Sequence, residues 1–161
     1  MLIQFNIVFF YNRMDKSKRY QRIFEQLQPL LLKTEDTEAR MCSIVALLHH
    51  KMNGFFWTGF YCLRNDQLIV RTYQGPIACM ELKKNTGVCW ASINSNQTII
   101  VDDVEKFPGH IACDSRSKSE IVIPLRDKSA KIIGVLDIDS KDLSTFDAVD
   151  ASWLEKIVAL I

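Results

Sequence analysis

The stretch FPGHIACDSRSKSEIVIPL (residues 107–125) places a thiol, an imidazole and two carboxylates, Cys113, His110, Asp114 and Glu120, in one loop ahead of an apolar strand. An ordinary connector is polar and chemically dull. Two more thiols, Cys79 and Cys89, fall in or beside another irregular stretch, residues 75–87. Incidental placement is less natural for three loop thiols than for Cys42 and Cys62, which sit in helix-like and strand-like patterns and read as small buried hydrophobes. A zinc site with His110 would favour short paired spacings such as C-x-x-C, and none occurs. A redox set needs only a thiolate and a second thiol that can reach it, with no fixed spacing. Cys113 is the best attacker, because Arg116 and Lys118 nearby would enrich its thiolate, although Asp114 works against them. His110 is expected to anchor the loop by hydrogen bonding, and is a second candidate to tune Cys113.

The remaining chemistry lies in GVLDIDS and FFWTGFY. Asp137 and Asp139 are two apart on a strand and therefore share a face. Clustered carboxyl groups raise one another's pKa, and a protonated one can donate to an oxygen that gains charge. A solvated sheet face is the plain alternative, about as natural when these two are taken alone. Trp57 and Tyr61 each carry a polar tip on an apolar body and could wall a small-molecule pocket. Alternation groups them with Phe55 and sets Phe56 and Phe60 on the opposite face.

Elements must position these groups. Tyr20, Ile23, Phe24, Leu27, Leu30 and Leu31 recur at threes and fours, which predicts a helix from Asp15 to Lys33, kinked or shortened by Pro29. A second helix follows the capping run Thr34–Thr37. Residues 55–63 and 67–74 read as a hairpin, 75–87 as loop or edge strand, and 87–96 as a short helix. Strands follow at 98–101, 120–125 and 131–140, and a helix from Thr145 to Ile161. Sequential hairpins with packed helices predict an α+β domain with an antiparallel sheet. The two long irregular stretches are where function concentrates.

With 161 residues, 48% of them hydrophobic and 24% charged, the chain suits one globular domain. Twenty basic and nineteen acidic residues leave a net charge of +1, and no basic block is interleaved with aromatics, which argues against nucleic acid. The apolar run in MLIQFNIVFF is too short to span a bilayer and lacks the marks of a signal peptide. Residues 1–14 read as an extension, with a weak edge strand as one form, and the cytoplasm is the default compartment. Five cysteines, an odd count, argue against a structural disulfide framework.

FFWTGFY, YQGPIAC, GVC, PGHIACDS with SEIV downstream, LDIDS and FDAVD together resemble the free methionine-(R)-sulfoxide reductases, which are catalytic GAF domains. The resemblance runs from about Gly54 to Asp150 and implies a GAF domain over residues 15–161. It implies that the Cys113 thiolate attacks the sulfur of free methionine sulfoxide while Glu120, Asp137 and Asp139 supply or share the proton for its oxygen. A sulfenic acid on Cys113 would then condense with a resolving thiol, Cys79 as first choice and Cys89 as second. Trp57 and Tyr61 would pack around the sulfoxide methyl. No bound cofactor or metal is implied; a thioredoxin-like protein would regenerate the dithiol, and a homodimer is compatible with the family. The alternatives are a GAF module that senses a small molecule without catalysis, or a thiol redox switch. One departure stands out: the family typically follows GVC with glycine, whereas Trp90 stands here, a bulk that could restrict Cys89 in reaching Cys113.

Overall fold

The computed structural model describes residues 2–110 and 113–161, with side chains described from Asp15 onward; Met1 and the loop residues Ile111 and Ala112 lie outside the described residues. The helical periodicity from Asp15 belongs to a longer helix, α1 (Leu2–Leu31), which also replaces the weak edge strand expected near the N-terminus. Extending a formed helix adds one hydrogen bond per residue fixed, and no Gly or Pro stands between Leu2 and Asp15 to stop it. Pro29 lies inside the last turn, and the helix ends two residues later.

Helix α2 (Thr37–Lys51) is capped by Asp36, whose Oδ1 accepts from the Ala39 amide at 2.7 Å. Strands β1 (Trp57–Arg64) and β2 (Gln67–Gln74) form the expected hairpin. Its two-residue turn holds Asn65 and Asp66 at φ 49° and 63°, left-handed conformations that these side chains tolerate. There follow β3 (Glu81–Leu82), α3 (Gly87–Ser95), β4 (Ile99–Val101), β5 (Ser119–Arg126), β6 (Ile132–Ser140) and α4 (Ala148–Val158). The sheet order is β3-β2-β1-β6-β5-β4 and every pairing is antiparallel. The architecture is therefore the α+β arrangement the sequence predicts.

Alternation along the strands divides the interior into two layers. On one face Phe60, Ile121, Ile123, Leu136 and Ile138 meet Tyr20, Ile44, Leu48, Leu154 and Ile157 from α1, α2 and α4. Each such buried aliphatic side chain contributes roughly 1.5–3 kcal/mol. On the other face Trp57, Tyr61, Val122 and Val135 meet Val88, Cys89 and Trp90 from α3. Phe55 departs from expectation. It precedes β1, where strand alternation does not hold, and it packs in the helix-side core against Phe146 at 5.8 Å.

The helical layer is tied together by a buried polar network. Asp150, 1% exposed, accepts from the Tyr20 hydroxyl at 2.8 Å and from Lys16 at 2.6 Å, and completes the capping box of α4 with Asp147. Among the described residues no helix is long and apolar enough to cross a membrane.

Candidate active site

Register assembles the pocket in rows. Trp57, Asp139 and Glu120 are cross-strand partners along β1, β6 and β5, and therefore share one face. The next row is Gly59, Asp137 and Val122, and the third is Tyr61, Val135 and Pro124. The missing side chain at Gly59 is a requirement. A Cβ there would lie 2.4 Å from the Trp57 ring and 2.5 Å from Cβ of Tyr73. Trp57 occupies that space, stacked between Tyr61 at 5.7 Å and Tyr73 at 5.4 Å between ring centroids. Its Nε1 is buried and has no hydrogen-bond partner among the described residues.

Over this face lies a cavity of about 280 Å³, and all eight residues singled out in the sequence line it: Trp57, Tyr61, Cys79, Cys89, Cys113, Glu120, Asp137 and Asp139. Cys79 and Cys113 are joined by a disulfide, with their Cα atoms 5.5 Å apart. The Cys79 carbonyl accepts from the Tyr61 hydroxyl at 3.0 Å, so the aromatic wall also fixes the segment that carries this thiol. Cys89 is free and buried at the pocket floor. Trp90 does not line the cavity; its Nε1 donates to the Leu82 carbonyl at 3.3 Å and holds the ring against the edge strand.

Electrostatics set the acid cluster. Burial raises Glu120 well above the usual carboxylate range, and Asp137 and Asp139 reinforce the shift. Burial likewise pushes Asp137 up to about 6, opposed by hydrogen bonding from Glu120 and Cys89. Asp139 is raised by burial and by the charge of Asp137, while a hydrogen bond from Ser117 works the other way. The first proton therefore leaves Asp137, and Glu120 stays a carboxylic acid able to donate. The Cys89 thiol is raised by burial and then by Asp137 and Glu120, so it is a poor nucleophile as placed. One oxygen of Asp137, Oδ1, is buried without a partner among the described residues. Donor atoms of Cys89, Glu120 and Asp137 lie within 4.8 Å of one another, a set that could hold a divalent cation or, as the raised pKa values favour, shared protons.

Three expectations are corrected. Arg116 is bound by Asp114, at 2.9 and 2.6 Å, and Lys118 by Glu105 at 2.6 Å, so neither cation is left free to activate Cys113. The imidazole of His110 makes no anchoring hydrogen bond among the described residues. Its Nε2 is unpartnered, its Nδ1 is 3.9 Å from Glu120, and burial lowers its pKa towards the neutral form. Cys42 is exposed rather than buried, because it falls off the inner stripe of α2 formed by Met41, Ile44, Val45 and Leu48, and its Sγ contacts the Thr72 hydroxyl at 3.4 Å. Sequence reasoning also missed Tyr73, Gly59 and Ser117. For the first two the available signal was the glycine inside an aromatic strand, which marks a close approach; nothing in the sequence marks Ser117.

The family model for the GAF domain matches residues 20–161. Free methionine-R-sulfoxide reductase of Escherichia coli is 38% identical over 146 residues, which covers 91% of this chain and 88% of that protein. GAF domain-containing protein A of Dictyostelium discoideum is 44% identical over 148 residues, with 91% and 92% covered. The X-ray structure of free methionine-R-sulfoxide reductase from Neisseria meningitidis in complex with its substrate superposes with a TM-score of 0.85 at 36% identity, covering 90% of this chain and 87% of that one. With its sheet rows, thiols and acids in place, this chain belongs to the GAF domain family and, within it, to the free methionine-R-sulfoxide reductases.

Proposed function

We propose that this chain reduces free L-methionine-(R)-sulfoxide to methionine with its own thiols. The observation that carries the reading is the Cys79–Cys113 disulfide at the mouth of a cavity floored by Glu120, Asp137 and Asp139. In the reduced protein the Cys113 thiolate attacks the sulfoxide sulfur. Protonation from the acid cluster lets the sulfoxide oxygen leave as water, giving a Cys113–sulfonium adduct. Water then attacks the Cys113 sulfur, the sulfur–sulfur bond breaks with its electron pair going to methionine, and Cys113 is left as a sulfenic acid. Cys79 then displaces water to form the disulfide. The sum is one sulfoxide and two thiols converted to one methionine, one disulfide and one water. Glu120 is the proton donor favoured by its raised pKa, and Asp137 and Asp139 share its proton or receive the substrate ammonium. Trp57 and Tyr61 pack around the methyl group.

Cys79 is the resolving thiol in this scheme, and Cys89, buried and with a raised pKa, is a reserve. No bound cofactor takes part. A thioredoxin-like protein returns the dithiol, and the reaction belongs in the cytoplasm, where thiols are kept reduced. The catalytic unit is residues 15–161, a span supported by the family match and by the ties of Lys16 and Tyr20 to Asp150, with residues 1–14 as an extension. A homodimer paired through the helical layer fits the same reading.

A single-turnover experiment tests it. Reduced protein, freed of excess reductant, is mixed with the sulfoxide, and methionine, free thiols and disulfide peptides are counted. One methionine per chain with loss of two thiols and a Cys79–Cys113 peptide supports the scheme. Full methionine yield from Cys113→Ser would remove Cys113 as nucleophile.

A further inference from the structure

Among the large hydrophobic side chains left exposed in the described residues, two stand on the short segment that carries Cys79: Ile77 is 86% exposed and Met80 79%. Leu30 and Leu32 form a second exposed pair at the end of α1, remote from the thiols in sequence, and Tyr73, Ile100 and Leu143 stand singly, which is ordinary for a protein surface. The backbone of this segment is held from within. Cys79 O accepts from Tyr61 and Met80 O accepts from the Val70 amide, each at 3.0 Å. With both carbonyls pinned, Ile77 and Met80 stand exposed on either side of Cys79 along the chain, Ile77 at the edge of the cavity that it helps to line. Met80 does not line the cavity, so packing against a substrate does not account for it.

We propose that Ile77 and Met80 are the docking surface for a redox-active dithiol protein that reduces the Cys79–Cys113 bond. The proposal rests on the reading that this disulfide closes a catalytic cycle. A protein reductant must bring its sulfur within bonding distance of the disulfide, and in doing so it covers the residues two before and one after Cys79. An apolar collar there gives the partner a surface to bury and excludes water from the exchange. The partner's thiolate attacks the Cys79 sulfur, forming a mixed disulfide and releasing Cys113 as a thiolate. The partner's second thiol then attacks that mixed disulfide, frees Cys79, and leaves the partner oxidised. Attack at Cys79 fits the assigned roles, because it returns Cys113, the nucleophile of the proposed cycle, directly as the thiolate.

The test compares reduction of the oxidised protein by a reduced thioredoxin and by dithiothreitol, with free thiols counted over time. Met80→Asp, at the flanking residue that does not line the cavity, is set beside wild type. The expected result is a fall of ~tenfold or more in the rate constant with thioredoxin, and a rate with dithiothreitol within about twofold of wild type. Equal rates for variant and wild type with thioredoxin overturn the docking surface, as does an equal loss with both reductants. If Met80→Asp fails to fold, Met80→Ser takes its place and is judged by the same ratio. Should wild type be reduced by thioredoxin no faster than by an equal concentration of dithiothreitol, the protein reductant itself is lost, and this surface with it. Sulfoxide reduction supported by dithiothreitol would stand untouched in that case, so the two failures are separable.

Discussion

Glu120 and Asp139 are direct cross-strand partners on β5 and β6, and Trp57 completes their row on β1. Like charges placed opposite each other in a sheet are destabilising. The pair persists because burial keeps protons on the cluster, so the sheet holds a protonated carboxyl group at the cavity wall.

That arrangement gives stability a definite pH dependence. Asp137 is raised to about 6 by burial, above its ordinary carboxylate value, so the folded protein holds more protons than the unfolded chain between about pH 4 and 6. Stability contributed by this group is thus fully present at lower pH and lost as pH rises through 6, on the order of 3 kcal/mol for the whole span. Asp137→Asn is expected to gain stability relative to wild type as pH goes from 4 to 7, read as the difference in urea midpoints. A difference that stays flat over that range would contradict the shift.

Gly59→Ala puts a methyl group where the Trp57 ring lies. Overpacking of this kind costs roughly 1–3 kcal/mol. Trp57 must tilt out of its stack with Tyr73, so KM for the sulfoxide is expected to rise more than kcat falls. Steady-state kinetics together with the thermal midpoint check both parts, and an unchanged KM would show that Trp57 does not touch the substrate.

The three free thiols differ in access. In the oxidised native protein Cys42 is exposed, whereas Cys62 and Cys89 are buried with raised pKa values, and burial is the main cause for both. Iodoacetamide without denaturant is expected to label Cys42 alone, as peptide mass analysis would show. After reduction Cys79 and Cys113 should join it. Rapid labelling of Cys89 in the oxidised state would mean that the pocket floor is open to solvent.

Much of this site was legible in the sequence because strand periodicity and thiol chemistry are local. Asp137 and Asp139 had to share a face whatever their partners, and the hairpins fixed an antiparallel sheet. Register was not legible. Nothing in GVLDIDS or SEIVIPL says that Asp139 meets Glu120, or that Asp137 lies beside Gly59. Phe55 was misplaced because alternation was extended two residues before the true start of β1 at Trp57. Asp114 was recognised in the sequence as opposing Arg116 and Lys118 near Cys113. That it pairs with Arg116, and that Glu105 takes Lys118, depends on side-chain geometry that sequence proximity does not give. The edge-strand reading near the N-terminus failed for a related reason, since a short apolar run takes the structure of the helix it continues.

The central claim is catalysis on the free amino acid, and chiral amino-acid analysis tests it most directly. Reduced protein is incubated with racemic free methionine sulfoxide and excess dithiothreitol, and both epimers and methionine are followed. The account predicts that the R epimer alone disappears while methionine accumulates in equal amount. If neither epimer changes, the chain is not a reductase of free methionine sulfoxide, and its pocket binds without reacting.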